Sequence, residues 1–156
     1  MNFRLQTRRK GGKMDRMVME VEWPKLGITV QAESLDFNQR FSEKFWESLP
    51  FETIQLHAMV TGEDMYSYCP VSPLEHQRLA EVAKPISELP VGQITWSILG
   101  LVAIVYGPCT EPLATRPIAL IPERDHQKLK EAGRAAWNSI FFTKEPLGVI
   151  FREGRR

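Results

Sequence analysis

The stretch Thr53-Ile54-Gln55-Leu56-His57-Ala58-Met59-Val60-Thr61-Gly62-Glu63-Asp64-Met65-Tyr66-Ser67-Tyr68-Cys69-Pro70 alternates, turns at a glycine and alternates back. Its first half sets Ile54, Leu56, Ala58 and Val60 on one side and Thr53, Gln55, His57 and Met59 on the other. That two-residue period belongs to a half-buried strand. Thr61-Gly62-Glu63-Asp64 suits a type II′ turn with glycine first of the two central residues. Pairing about that turn puts Met59 opposite Tyr66, His57 opposite Tyr68 and Leu56 opposite Cys69. Gln55, His57, Met59, Tyr66 and Tyr68 then share one sheet face, and Pro70 ends the return strand.

The same reading extends in both directions. Val18 to Trp23 and Gly27 to Glu33 alternate around Pro24 and Gly27, a second hairpin with Ile28, Val30 and Ala32 inward. Asp36 with Gln39 three residues on predicts a capping box, and Phe37, Phe41, Phe45 and Leu49 form the buried stripe of the helix that follows. Three prolines beyond Pro70 mark residues 71–90 as a long connection, with a short helix over Leu74 to Ala83. Gly92 to Ile98 alternates, Leu101 to Tyr106 reads as a strand buried on both faces, and Gly107 to Pro112 reads as a loop. Ile118 to Ile121 is a further strand. Glu123 or Asp125 opens a last helix whose apolar stripe is Leu129, Ala132, Gly133, Ala136, Trp137 and Ile140, with Arg134 toward water. Leu147 to Phe151 closes the count. About eight hairpin-joined strands and two or three helices predict a mainly β or α+β fold, an antiparallel sheet or small closed barrel capped by helices.

Composition bounds the function classes. A chain of 156 residues, 43% hydrophobic and 25% charged, is one core-forming domain. The net charge of +1 is a cancellation, because residues 1–16 carry +5 and the rest −4. Residues 1–16 read as a flexible basic arm and 17–156 as the folded domain. The domain therefore predicts a small-molecule partner and no nucleic acid. No apolar run approaches the ~20 residues of a membrane span, and no signal-like h-region is present. Two isolated cysteines, Cys69 and Cys109, predict neither a disulfide framework nor a structural zinc site, and point to a reducing cytoplasmic setting. There is no phosphate loop, GxSxG, HExxH or CxxC, so no cofactor and no metal are expected.

Val91-Gly92-Gln93-Ile94-Thr95-Trp96, followed by Leu99-Gly100-Leu101-Val102-Ala103-Ile104-Val105-Tyr106-Gly107-Pro108-Cys109-Thr110-Glu111-Pro112, resembles a pattern of small bacterial cyclophilin-like proteins. The helix ending Phe45-Trp46-Glu47-Ser48-Leu49-Pro50-Phe51 after a hairpin is similar to the same family. The resemblance spans about Met17 to Pro112 and implies a closed cyclophilin-like β-barrel with capping helices. It brings two activities. True cyclophilins isomerise X-Pro bonds with an arginine beside a Phe-x-x-Met-x-Gln stretch. That stretch is absent, and no arginine stands beside Gln55 and Met59, so prolyl isomerisation ranks last. Cucumopine synthase, an opine-forming enzyme with a cyclophilin-like domain, condenses histidine with 2-oxoglutarate by a Pictet–Spengler type ring closure. Leu49-Pro50-Phe51, His57, Thr61-Gly62-Glu63, Tyr66 and Tyr106-Gly107-Pro108 are similar to that branch.

The expected chemistry is proton transfer on an amino- or oxo-acid. His57 is the leading acid/base candidate, because an imidazole gives or takes a proton near neutrality. Tyr68 and Glu111 complete the expected catalytic set. Gln55, Met59, Tyr66, Tyr106 and Thr110 are the expected substrate-binding residues. Glu63 and Asp64 read as turn polarity, and Cys109 as a buried thiol. The competing reading is a non-catalytic ligand- or peptide-binding or structural domain, with a homo-oligomer possible.

Overall fold

The structure, a computed structural model, describes residues 9–10, 13–97 and 99–155. Nine strands form one antiparallel sheet: β1 (Val18–Trp23), β2 (Ile28–Ser34), β3 (Phe51–Ile54), β4 (Leu56–His57), β5 (Gly62–Tyr68), β6 (Gln93–Trp96), β7 (Leu101–Cys109), β8 (Pro117–Leu120) and β9 (Gly148–Glu153). Their spatial order is β3-β9-β1-β2-β8-β6-β7-β5-β4. The two edge strands, β3 and β4, are consecutive in the chain with only Gln55 between them. The sheet therefore curls into a nearly closed barrel, as the strand count and the cyclophilin-like resemblance led one to expect.

Gln55 stitches this seam. Its backbone N–H donates to Leu147 O at 2.7 Å, and its Nε2 donates to Tyr66 O on β5 at 2.9 Å. Its Oε1 accepts from Trp23 Nε1 on β1, also at 2.9 Å. At 1% exposure, Gln55 is part of the interior rather than of an outer face. A buried amide is tolerated there because both of its ends are bonded.

Met19, Val21 and Trp23 of β1, Val30 and Ala32 of β2, Ile94 and Trp96 of β6, and Val102 and Ile104 of β7 fill the interior, as their alternation predicts. Helix α1 (Gln39–Trp46) adds Phe41 and Phe45, whose rings lie 4.9 and 5.6 Å from Trp96. Its cap differs from expectation. Asp36 pairs with Arg16, and the residue before the helix is Asn38 in a left-handed conformation. Asn38 is fully buried. It donates to Val82 O and Pro117 O and accepts from the N–H groups of Glu81 and Val82, so its amide does more tying the 71–90 connection to β8 than it could as a cap. Helix α2 (His126–Asn138) is entered through a 3₁₀ turn, Glu123–Asp125, and leaves through a π turn, Ser139–Thr143. It buries Leu129, Ala132, Gly133 and Ala136.

Three further expectations need adjustment. The helix expected over 74–83 is a 3₁₀ turn, Leu74–Leu79. The loop expected at 107–112 begins later, because β7 runs on to Cys109 with a register irregularity between Val105 and Cys109. Within the basic arm, Arg9–Lys10 pairs with Lys13–Met14 as a small ribbon; residues 1–8 and 11–12, and Ile98 of the expected strand, lie outside the described residues. Lys84–Pro85 pairs with Ala114–Thr115 in a second ribbon.

The β4–β5 register is three residues away from the expected one. Leu56 pairs with Tyr66 and His57 with Met65, where the turn geometry put Cys69 and Tyr68. The cause is β7, which pairs with β5 continuously from Leu101–Tyr68 to Val105–Asp64 while β4 contributes only two residues. The long partner sets the register, and the chain between Ala58 and Thr61 becomes a loop. An odd shift exchanges the faces of a strand. Tyr66 and Tyr68 consequently point away from His57, whereas Glu63, Met65 and Ser67 share its face.

Candidate functional site

His57 lies inside the barrel wall at 4% exposure, not on an outer face. The interior partner is Tyr106, which alternation along β7 places on the same side as Val102 and Ile104. The Tyr106 hydroxyl and His57 Nε2 are 2.5 Å apart. His57 Nδ1 lies 2.6 Å from the carbonyl of Ala58. A carbonyl only accepts, so Nδ1 carries the proton of the neutral ring and Nε2 accepts from the Tyr106 O–H. The imidazole also meets Trp137 of α2 edge-on, with centroids 5.0 Å apart.

Helix α2 shapes the other wall. Gly133 faces the Tyr106 ring so closely that a Cβ there would collide with three ring carbons. The next residues on that helical face are Arg134, Trp137 and Asn138, at the spacings that put side chains side by side. With His57, Gly62, Glu63 and Tyr106 they enclose a cavity of about 410 Å³. Its floor is the buried His57–Tyr106 pair. Its rim is Glu63, Arg134, Trp137 and Asn138, all exposed. Burial, with the negative charges of Glu63 and Asp64, pushes the Tyr106 phenol up to about 12, while Arg134 acts in the opposite direction. Tyr106 is therefore a persistent O–H donor at neutral pH.

The expected site divides. His57 and Tyr106 come together. Gln55 is committed to the seam. Tyr66 and Tyr68 stand on the opposite face of β5, with Tyr68 60% exposed. Met59 is 73% exposed in the loop that replaces the expected turn. Thr110 and Glu111 follow β7 outside the cavity; the Thr110 N–H donates to Thr61 O, and the Glu111 carbonyl accepts from Ser87 N–H. The register shift and the longer β7 account for the displacement of Tyr66, Tyr68, Met59, Thr110 and Glu111. Cavity residues read otherwise in the sequence are Glu63, taken as turn polarity, Arg134, taken as solvated, and Trp137, taken as core. A signal for them existed in Gly133, a glycine inside an otherwise strong helix, which marks a close approach.

Among the described residues no group of three or more His, Cys, Asp or Glu is arranged to hold a metal ion, and no helix is long and apolar enough to cross a membrane. The cavity's own groups are an imidazole, a phenol, a carboxylate and a guanidinium. They can bind a small zwitterion or oxo-acid and move protons on it.

A nearly closed antiparallel barrel with a polar cavity beside a capping helix fits a cyclophilin-like fold. Among solved structures the chain is similar to McbB in complex with tryptophan, at 33% identity and a TM-score of 0.83. The match covers 88% of this chain and 45% of McbB, so the chain spans less than half the length of that neighbour. No family model matches the chain, and no curated protein matches it.

Proposed function

We propose that the chain is a small-molecule enzyme that condenses an amino acid with an oxo-acid or aldehyde, by imine formation and Pictet–Spengler type ring closure. The observation that carries this reading is the His57–Tyr106 pair on the floor of a cavity whose rim holds Glu63 and Arg134. The tryptophan bound to McbB supports an amino acid as one substrate.

Each group has a role that its chemistry suits. Arg134 offers a planar fork to a substrate carboxylate. Glu63 faces the substrate amine and takes a proton from it. The amine nitrogen then bonds to the carbonyl carbon while Tyr106 gives its proton to the carbonyl oxygen; the nitrogen passes one of its protons to His57 Nε2, which returns it through Tyr106 to the same oxygen, and the twice-protonated oxygen leaves as water to give the protonated imine. His57 Nε2 exchanges protons with Tyr106 and resets it. An electron-rich ring carbon of the amino acid attacks the protonated imine carbon, the proton displaced from that ring carbon goes to His57 Nε2 and on to the Tyr106 phenolate, and Glu63 returns its proton to the product amine. The rim tryptophan supplies an apolar face for the ring.

The test is mass spectrometry after incubating the protein with tryptophan or histidine and, in turn, 2-oxoglutarate and small aldehydes. The expected product has the combined mass of the two substrates less one water. His57→Ala and Tyr106→Phe should each reduce its rate by about 10²–10⁴-fold, the range of general acid–base assistance. Failure of the wild-type protein to form any adduct over this panel would sink the reading. Saturable amino-acid binding without an adduct would favour the ligand-binding alternative.

A further inference from the structure

Asp64 is the neighbour of Glu63 in the chain and its opposite in placement. Glu63 points to the cavity; Asp64 points through the other face of β5 and is 4% exposed. It sits beside Cys109, on the edge of a small apolar cluster of Ile86, Leu89 and Val105. An ionisable carboxyl in such a place is costly unless its bonds do something for the fold. Burial pushes its pKa up, opposed by hydrogen bonding from Thr61.

Its bonds converge on one loop. The Asp64 Oδ1 accepts from the Thr61 hydroxyl and, at 3.9 Å, from the Cys109 thiol. Its backbone carbonyl accepts from Ala58 N–H at 3.0 Å. Ala58 to Thr61 is thus closed at both ends onto a single residue. The loop is also held from the side: Thr61 O accepts from Thr110 N–H, and Gly62, at φ 131°, packs against the carbonyl of Pro108 where a Cβ would not fit. What this loop presents inward is the Ala58 carbonyl, 2.6 Å from His57 Nδ1. The tautomer of a histidine is set by the partner of its other nitrogen. The partner here is the backbone carbonyl of Ala58, the first residue of the closed loop.

We propose that Asp64 is a positioning residue: by closing the Ala58–Thr61 loop it holds the Ala58 carbonyl on His57 Nδ1, and so presents Nε2 to the cavity side as the proton acceptor. Asp64 reaches neither the cavity nor the reacting atoms. The proposal rests on the role given above to His57, yet its structural half is readable without catalysis.

The test is the ¹⁵N spectrum of the His57 imidazole in the folded protein at a pH where the ring is neutral. The wild type should show a protonated, pyrrole-type Nδ1 and an unprotonated, pyridine-type Nε2. In Asp64→Ala the two signals should move toward each other as the tautomers mix. Where product is measurable, kcat should fall by about tenfold or more, with KM changed less than about twofold, because a proton-transfer step is misaligned and binding is not. Asp64→Asn keeps an oxygen for Thr61 and should restore most of the wild-type spectrum. If Asp64→Ala does not fold, Thr61→Val removes the same link and should produce the same mixing. An unchanged single tautomer in a folded Asp64→Ala or Thr61→Val protein overturns the proposal. Tautomer mixing in a protein whose wild type forms no adduct supports the positioning role and removes the enzymatic one.

Discussion

Helices α1 and α2 both pack on the barrel, and they do opposite things there. Helix α1 inserts large rings: Phe41 and Phe45 lie against Trp96, and Phe45 meets Phe51 edge-on at 6.0 Å. Within that contact the buried Ser42 hydroxyl donates to the Ile118 carbonyl and the Trp46 indole N–H to the Val18 carbonyl. Helix α2 offers Leu129, Ala132, Gly133 and Ala136 instead. Small residues bring the helix backbone onto the Tyr106 ring and leave space beyond it, and the polar residues at the next positions line that space. One helix completes the core, and the other makes a site by withholding side-chain volume.

The difference can be broken from either side. The largest effect should come from Phe45→Ala, which removes a fully buried ring from an aromatic cluster. Large-to-small changes of this kind cost about 3–5 kcal/mol, so urea or thermal unfolding should show a severe loss with little direct consequence for the cavity groups. Gly133→Ala is the sharper test, because two rules disagree in sign. A glycine-to-alanine change inside a helix ordinarily stabilises by about 1 kcal/mol. Here the new methyl meets Tyr106, and overpacking should instead cost about 1–3 kcal/mol. The same change should separate the Tyr106 hydroxyl from His57 and lower activity. A more stable, fully active Gly133→Ala protein would refute the close-packing account of α2.

The contrast between the helices was only half legible in the sequence. Phe41 and Phe45 are apolar at helical spacing, and core formation needs nothing more specific, so the α1 contact follows from pattern alone. The strands of the barrel were legible for the same reason. The cavity was not, because it depends on which face of β4 and β5 points inward. Alternation set Ile54, Leu56 and Ala58 apart from Gln55 and His57 and did not say which side is interior. At the seam Gln55 and His57 are buried because each is bonded at both ends of its side chain, while Ile54 is 49% exposed. A hairpin turn inferred from Gly62 could not reveal that β7, far away in the chain, sets the β5 register. Tyr106 was legible as a site residue through its place at the end of an apolar strand, but its pairing with His57 was not.

A pH titration probes the α2 side in finer detail. The Tyr106 phenol lies at about 12 in the folded protein against an ordinary value of 10.0, so folding favours its neutral form. Stability from this group is complete below about pH 10 and is lost as pH rises toward 12, where the buried phenol must ionise. Ultraviolet titration of phenolate should show one late-ionising tyrosine, absent in Tyr106→Phe, and the alkaline loss of stability should shrink in that variant. Tyr106 ionising with the other tyrosines would mean that the ring is wetter than its packing against Gly133 implies.

The smallest effect on the fold should come from Arg134→Gln, and its smallness is the point. Arg134 is exposed, and substitutions of exposed residues outside special features change stability by less than about 0.5 kcal/mol. Denaturation midpoints should therefore hardly move. The guanidinium is nevertheless the cavity's cation, and it opposes the rise of the Tyr106 pKa. Removing it should push the Tyr106 titration higher still. It should also weaken binding of a carboxylate ligand by about tenfold, corresponding to the roughly 1.5–3 kcal/mol of a hydrogen bond to a charged group, less what water supplies in its place. Calorimetry with tryptophan and with its decarboxylated amine separates the two roles of the rim. The wild type should prefer the amino acid, and Arg134→Gln should lose that preference while keeping its affinity for the amine. Equal loss for both ligands would place the carboxylate elsewhere and leave Arg134 as a field on Tyr106 alone.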